Sequence, residues 1–344
     1  MRLAIEIADR GRGFVLPNPT VGCVIVDNQK RLLSVGAHLK FGENHAEVNA
    51  IQTLEPCSHH GKTPPCVDAI IESGISRVIY GMEDPNPKVA GRGVGTLMEN
   101  DVEVGHFQSL QKECEHLIQD YLHLQKSPLP YVALKVAASL DGQIATYDGE
   151  SKWITGPNTR SRGRELRGYS CATLIGAGTF LNDDPLLDFR ETSFEHKKKN
   201  KIVILDPRGK GAAFFRKSRL AKTHERDRIF VLTREQNFIH WQHNGVQLLP
   251  FSSKKEVWAK NLVSLRQKGI QSLFVEGGSF AIGQFLKHRL FNRMYYFIAP
   301  KILGEGLSWS KGFQAMNLNS ALNLGPMSTE KIGDDILITS EFLG

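Results

Sequence analysis

Two groups of residues have the types and spacing to do chemistry. The first is His45-Ala46-Glu47, followed by Pro56-Cys57 and, nine residues after Cys57, Cys66. One imidazole and two thiolates suit a tetrahedral zinc ion whose fourth position stays open to water. Zinc lowers the pKa of such a water toward about 7 and so supplies hydroxide at neutral pH. A glutamate two residues from the histidine lies beside the metal without ligating it. There Glu47 can carry a proton from the water to a ring nitrogen and then to departing ammonia. Helix N-termini at both ligand groups would favour the thiolate form. The competing reading makes Cys57 and Cys66 core thiols and His45 a helix cap. That reading suits Cys23, Cys114 and Cys171, which lie in apolar or amphipathic patterns. A lone H-x-E is weak, but its combination with Pro-Cys and a second cysteine before a helix is the pattern of zinc deaminases. His59 and His60, between the two cysteines, are within reach of substrate and are not taken as zinc ligands.

The second group lies in the other half of the chain. It comprises Leu134–Gly142, Gly149–Thr155, Gly176-Ala177-Gly178-Thr179, Asn182–Leu187, Arg190 and Leu273–Gly278. The last of these reads as a strand running into a glycine pair and then a helix. Glycines allow close backbone approach, and a helix N-terminus offers N–H groups to a diphosphate. The pair alone is weak evidence. The first strand of this half is not followed by G-x-G-x-x-G, so a Rossmann domain is not supported.

These residues need elements to position them. In the first half, helices are expected over Leu3–Ala8, 45–52, 66–72 stopping at Gly74, 91–100 and 109–125. Strands are expected over Val21–Val26, entering a hairpin at Asp27-Asn28, and over Arg77–Gly81. A break falls at Lys126-Ser127-Pro128-Leu129-Pro130, where two prolines cannot continue a helix. The second half restarts with a strand over Tyr131–Ala137. Further strands are expected at 172–176, 201–205, 228–232, 272–276 and 294–299, and helices at 157–167, 256–268 and 279–287. Alternation of this kind indicates α/β layers in both halves. The domains are therefore 1–125 and 131–344, joined by a linker at 126–130.

Charge divides at the same place. Residues 1–125 carry 11 basic and 16 acidic side chains, and residues 126–344 carry 32 and 20, so the halves hold −5 and +12. A basic half suggests an anionic ligand, although a solvated basic surface is the plainer reading. The run Lys197-Lys198-Lys199-Asn200-Lys201 reads as an exposed loop. The 344 residues are 41% hydrophobic and 23% charged, which excludes disorder and coiled coil. Apolar runs such as Val21–Val26 are far below the roughly 18 residues of a membrane span. The start, MRLAIEIADRGRG, lacks the form of a secretory signal, and five cysteines are too few and odd for a disulfide scaffold, so a reducing cytoplasm is expected.

Four stretches, PNPTVGCVIV (17–26), HAEVNA (45–50), TLEPCSHHGKTPPC (53–66) and DPNPKVAGRG (84–93), together resemble the bacterial bifunctional riboflavin-biosynthesis enzymes, which join a pyrimidine deaminase to a ribosyl reductase. The SLDG, SKWIT, DDP and VEGG segments of the second half resemble the reductase part of the same family. The resemblance covers nearly the whole chain. It implies a cytidine-deaminase-like α/β/α domain followed by a dihydrofolate-reductase-like α/β domain. It makes His45, Cys57 and Cys66 the zinc ligands and Glu47 the proton shuttle. Asn18, Lys62, Thr63, Asp84, Asn86 and Arg92 would hold the pyrimidine and its ribose phosphate. For Asp84-Pro85-Asn86-Pro87 a rigid turn is the alternative. It assigns Ala137, Trp153, Thr179, Asp183 and Gly277–Gly283, Gly278 included, to NADPH, and Ser151, Arg167, Leu187, Arg190 and Glu276 to substrate. Arg167 and Arg190 suit a phosphate monoester because arginine binds one bidentately. Trp153 could instead be a core residue, and Trp241, Trp258 and Trp309 are read as packing residues. Lys135 could supply charge or a proton near the hydride-accepting carbon, although a lysine closing a strand is usually exposed.

One feature departs from the family. HAEVNAI runs almost directly into TLEPC, where the family has a longer helix, a loop and a full strand. A helix over 45–52 is about 12 Å long and the return from Thr53 to Cys57 spans about 16 Å if extended. The ligands can still converge, with no slack for a turn. The expected function is hydrolytic deamination of 2,5-diamino-6-ribosylamino-4(3H)-pyrimidinone 5′-phosphate, then NADPH-dependent reduction of the ribosyl to the ribityl group. The alternative is a reductase alone, its deaminase domain impaired by the missing segment. A phosphorylated small molecule explains the basic half without nucleic acid, for which no aromatic RNA platform or basic helix is present. A homo-oligomer is left open, with subunit contacts available to the shortened domain.

Overall fold

A computed structural model describes residues 1–50, 66–86 and 91–343. The chain forms two compact units, Met1–Ser127 and Pro128–Gly344.

In the first unit, α1 (Arg2–Ala8) lies directly on β1 (Gly22–Val26). Gly22 makes this possible, since a Cβ there would fall 2.2 Å from the Ala4 carbonyl oxygen. β1 pairs antiparallel with β2 (Leu32–Ala37), and the turn is closed by Asp27 Oδ1, which accepts the N–H groups of Gln29 and Arg31. The expected hairpin is thus present. α2 spans Ala46–Asn49 and α3 spans Cys66–Glu72. β3 (Arg77–Tyr80), α4 (Arg92–Glu99) and β4 (Glu103–His106) follow, with β3 and β4 parallel. Then come α5 (Gln111–Leu117) and α6 (Gln119–Lys126). One core cluster joins Ala8, Cys23, Ala46, Met82, Cys114 and Tyr121, and a second joins Val67, Ile70, Val78, Leu97 and Val102.

Two expectations are corrected here. The helix expected over 45–52 covers Ala46–Asn49, because Ala50 leaves helical geometry at φ 157° and ψ 155°. Ile51, Gln52 and the short return to Cys57 lie outside the described residues. The helix expected over 109–125 is broken at Ile118, whose φ of −110° and ψ of 20° turn it out of the helix while it stays buried in the core. A new helix then starts, and Asp120 Oδ1 accepts the N–H of Tyr121 in its first turn.

The second unit is built on a nine-stranded sheet of order β10-β9-β8-β7-β11-β5-β12-β15-β14. β5 (Tyr131–Ser139) is followed by β6 (Gln143–Thr146) and α7 (Pro157–Gly168). The chain then moves outward through β7 (Ala172–Gly176), α8 (Ala177–Asp183) and β8 (Lys201–Leu205). It continues through α9 (Ala212–Phe215), α10 (Arg219–Thr223), β9 (Ile229–Thr233), α11 (Phe238–Trp241) and β10 (Gln247–Pro250). After α12 (Lys255–Gln267), β11 (Ser272–Glu276) returns between β7 and β5. α13 (Ser279–His288) leads to β12 (Arg293–Ala299) on the other side of β5. Within the sheet, β5 and β7 to β12 are parallel. β13 (Gly306–Ser308) pairs with β6, and β14 (Ser328–Ile332) and β15 (Asp335–Glu341) close the edge antiparallel.

β5 shows why its residues form a central strand. Val132, Leu134, Val136 and Ala138 enter one core with Trp258, Leu262 and Phe285, while Tyr131 and Ala133 enter another with Leu166 and Phe274. Both faces are covered, so the strand reads as a continuous apolar run. Lys135 is on the second face, toward α7. A parallel sheet binds ligands beyond the carboxyl ends of its strands, where the strand order reverses. Here that place is the ends of β5, β7 and β11.

Candidate active sites

In the first unit, His45 precedes α2 in extended conformation and Cys66 opens α3, fully buried. Gly36 of β2 allows the α2 backbone to lie against the hairpin, since a Cβ there would be 2.4 Å from the Asn49 carbonyl carbon. His45 Nδ1 is 3.4 Å from Cys66 Sγ. Donor atoms of His45, Glu47 and Cys66 all lie within 4.8 Å of one another. An imidazole and a thiol converging beside a carboxylate fit a zinc ion held by nitrogen and sulfur. Cys57 and Lys62, with Thr63, His59 and His60, lie outside the described residues.

Behind His45 stands a residue whose part was not legible in the sequence. His38 is buried and packs edge-on against His45 with ring centroids 5.0 Å apart. Its Nδ1 donates to the Asn44 carbonyl at 3.0 Å and its Nε2 accepts from Asn18 Nδ2 at 3.4 Å. Burial holds the His38 ring below the usual histidine proton affinity. Asn18 is thereby brought to the histidine pair. Asp84 Oδ1 accepts the Tyr121 hydroxyl at 2.8 Å inside the core and the Asn86 backbone N–H at 2.9 Å. Asp84 and Asn86 are thus joined by an Asx-type bond anchored by α6, and Pro87, the last residue of the turn considered, lies outside the described residues. Arg92 opens α4 and is exposed. Burial, with Glu47's charge added, pushes the Cys23 thiol up, and burial pushes Cys114 up to about 11, so both stay protonated.

In the second unit, the ends of three strands gather the other group. Lys135 of β5 sits opposite Glu276, the last residue of β11. Arg167 of α7 grips Glu276 with two bonds, one from Nε to Oε1 and one from Nη2 to Oε2 at 3.0 Å, and its Nη1 donates to the Asp188 carbonyl at 2.6 Å. All three donor groups of Arg167 are thus engaged within the protein. Arg190 remains half-exposed, paired with Asp188. Burial pushes the Glu276 carboxyl up, but the charge and hydrogen bonds of Arg167, with Lys135, outweigh it and hold it below the usual range. Burial pushes the Lys135 ammonium down, partly offset by Glu276. The expectation that Lys135 is exposed is corrected: the register of β5 against β11 and the cover of α7, whose Gly163 would place a Cβ 3.7 Å from Lys135 Cε, enclose it.

Beside this triad, Gly277 and Gly278 have φ values of +72° and +76°, which only glycine adopts without strain. A Cβ on Gly278 would lie 3.4 Å from Thr179 Oγ1 and 3.7 Å from Gly176 Cα. The two glycines therefore pack the start of α13 against the start of α8, and the resulting shallow backbone cradle suits a diphosphate. Asp183 ends α8, its carboxyl raised by burial against the pull of Lys152. Trp153 is 63% exposed, which excludes the core reading. Ser151 is half-buried two residues before it, Ala137 lies near the end of β5 opposite Phe297, and Leu187 is buried. Trp241 and Trp258 are core residues, and Trp309 packs on Tyr296 at 5.6 Å. The lysine run is an exposed loop at Lys197 and Lys199 and is tied in elsewhere. Lys198 Nζ donates to the Gly168 and Ser170 carbonyls, Asn200 is buried and bonds Thr173 and Leu187, and Lys201 opens β8.

Comparison with known proteins finds a match for each unit. Residues 1–82 match the cytidine and deoxycytidylate deaminase zinc-binding region, and residues 130–338 match the RibD C-terminal domain. The riboflavin biosynthesis protein RibD of Bacillus amyloliquefaciens is 36% identical, over 99% of this chain and 95% of its own. That of Actinobacillus pleuropneumoniae is 37% identical, over 98% and 93%. The Thermotoga maritima diaminohydroxyphosphoribosylaminopyrimidine deaminase/5-amino-6-(5-phosphoribosylamino)uracil reductase has a TM-score of 0.85 at 34% identity, over 99% of this chain and 97% of its own. Acinetobacter baumannii RibD has a TM-score of 0.84 at 31% identity, over 100% and 98%. With the deaminase domain present, the reductase-only reading is not favoured. Among the described residues no helix is long and apolar enough to cross a membrane. A cytidine-deaminase-like domain and a reductase domain in one chain, matched over almost their full length, make this chain a member of the RibD family.

Proposed function

We propose that the chain carries out two successive steps of riboflavin biosynthesis on one phosphorylated pyrimidine, in the cytoplasm. Domain 1–125 deaminates 2,5-diamino-6-ribosylamino-4(3H)-pyrimidinone 5′-phosphate. Domain 131–344 reduces the ribosyl group to ribityl. The observation that carries the reading is the convergence of His45, Glu47 and Cys66 in a chain that also holds the Lys135–Glu276–Arg167 triad beside a glycine cradle.

His45, Cys66 and Cys57 would hold zinc, which supplies water activation when bound. Glu47 takes a proton at its carboxylate and gives it to the ring nitrogen, then takes a second proton, from the hydroxyl added to the ring, and gives it to the leaving amine. Asn18, oriented by His38, and Asp84, oriented by Tyr121, hold the pyrimidine with Asn86 and Lys62. In the second domain NADPH supplies the hydride, and the protein positions it. Gly277, Gly278 and Thr179 receive the diphosphate, with Ala137, Trp153 and Asp183 placing the rest. Lys135 holds a proton next to the opening sugar ring. Glu276, fixed by Arg167, orients substrate with Ser151 and Leu187. Arg190 takes the phosphate by exchange from Asp188.

The test supplies the diaminopyrimidine substrate and NADPH to the purified chain and follows product mass. Both steps predict the ribityl uracil, with one ammonia released per NADPH oxidised. A product that keeps the 2-amino group would contradict the reading.

A further inference from the structure

Trp153 poses a mechanical problem. A tryptophan 63% exposed on a segment without regular structure has no packing to fix it, yet a cofactor platform must be rigid. The segment 151–156 is tied at three points, from α7, from the stretch after β12 and from β15. Arg160, in the first turn of α7, lays its guanidinium over the Trp153 ring with Cζ 4.1 Å from the centroid, and its Nη1 donates to the Thr155 carbonyl at 2.7 Å. Lys301, just beyond β12, donates to the Trp153 carbonyl at 2.7 Å. Asp335, buried at the start of β15, accepts the Gly156 N–H at 2.8 Å through Oδ2.

The ties connect Trp153 to the same framework as the triad. Arg160, Gly163 and Arg167 fall on one face of α7 by their spacing of three and four. α7 therefore delivers Arg167 to Glu276 and Arg160 to Trp153 from one rigid body. On the other side, Lys152 acts electrostatically on Asp183 of α8, one turn beyond Thr179. Arginine covers one face of the indole, and the exposure of the ring leaves the other surface for a planar ligand.

We infer that Arg160, assisted by Lys301 and Asp335, is a positioning residue that holds Trp153 as a preformed platform for the nicotinamide part of NADPH. This rests on the assignment of Trp153 to the cofactor. A preformed platform lowers the ordering cost of binding, so its loss weakens cofactor binding more than the chemical step.

The experiment uses the full-length enzyme and compares R160A, Arg160→Lys, K301M and W153F. R160A is expected to raise the KM for NADPH about threefold to fivefold, the scale of one exposed cation–aromatic contact. Its reductase kcat should change less than about twofold, and ammonia release should not change. The indole emission that W153F removes should shift to the red in R160A. Arg160→Lys, which keeps the charge and loses the planar fork, should fall between wild type and R160A, and K301M should show a smaller rise in KM. If R160A leaves both KM and emission unchanged while W153F raises KM, the positioning role is wrong. If W153F itself leaves the KM for NADPH unchanged, the assignment of Trp153 fails and the platform fails with it. A loss of kcat with unchanged KM in R160A would also overturn it. Should R160A not fold, the same readouts on Arg160→Lys and K301M decide.

Discussion

The two units solve the problem of placing reactive groups in opposite ways. In the first, chemistry is placed by the starts of two short helices, α2 and α3, lying near a two-stranded hairpin. Its described strands form two separate two-stranded sheets. In the second, chemistry is placed by the ends of adjacent strands in a nine-stranded sheet covered on both faces. A metal supplies bonds that can draw ligands together, so a site of that type tolerates a slight scaffold. Hydride transfer has no such bond to organise it, and its groups must be fixed in advance by register and packing. The difference therefore lies in where the rigidity comes from: ligation in one unit, sheet register in the other.

The sharpest way to break the comparison is Glu47→Gln. It should lower ammonia release about 10³-fold, the scale of a lost general acid–base, and leave NADPH oxidation on pre-deaminated substrate unchanged. Parallel assays of the two activities check this, and a joint loss would mean the sites are not independent. Next in size is Arg167→Ala, which leaves Glu276 charged and enclosed. Removing one partner of a buried ion pair costs about 3 kcal/mol or more, visible as a lower melting temperature of the reductase unit. The same pair predicts a pH dependence. Glu276 is held below its ordinary pKa, so its stabilisation is present above the usual carboxylate range near 4.5 and is lost as pH falls through the folded value. Denaturant titrations at descending pH should show this loss, and E276Q should remove that part of the slope. The smallest effect is expected for Tyr121→Phe, which deletes the bond to Asp84 and costs about 1 kcal/mol. The deaminase KM should rise while the reductase KM stays fixed, which kinetics with both substrates would detect.

Much of this organisation was legible in the sequence, for physical reasons that differ by element. β7, β8 and β11 match their expected bounds because they are unbroken apolar runs between clear stops. The zinc-type donors were legible because His45 and Glu47 lie two residues apart at the start of one helix and Cys66 opens another. β14 and β15 were not, because Thr329-Glu330-Lys331 of the edge strand and Thr339-Ser340-Glu341 of its neighbour are polar stretches that pairing, rather than hydrophobicity, defines as strand. Lys135 was misjudged because its enclosure comes from α7 and from register with Glu276, more than 100 residues away. His38 carried no motif at all, and its place against His45 follows from the hairpin alone. The break at Ile118 was hidden because its apolar side chain fits a helical pattern equally well.

Two activities in one chain require that the short first domain hold a working metal site alongside the reductase. The most direct measurement is the zinc content of the purified full-length protein, taken together with deaminase turnover on the same sample. The account predicts one tightly held zinc per chain, with ammonia release lost on chelation and NADPH oxidation of pre-deaminated substrate retained. Protein free of zinc that still reduces its substrate, with no ammonia released after zinc is added back, would contradict it.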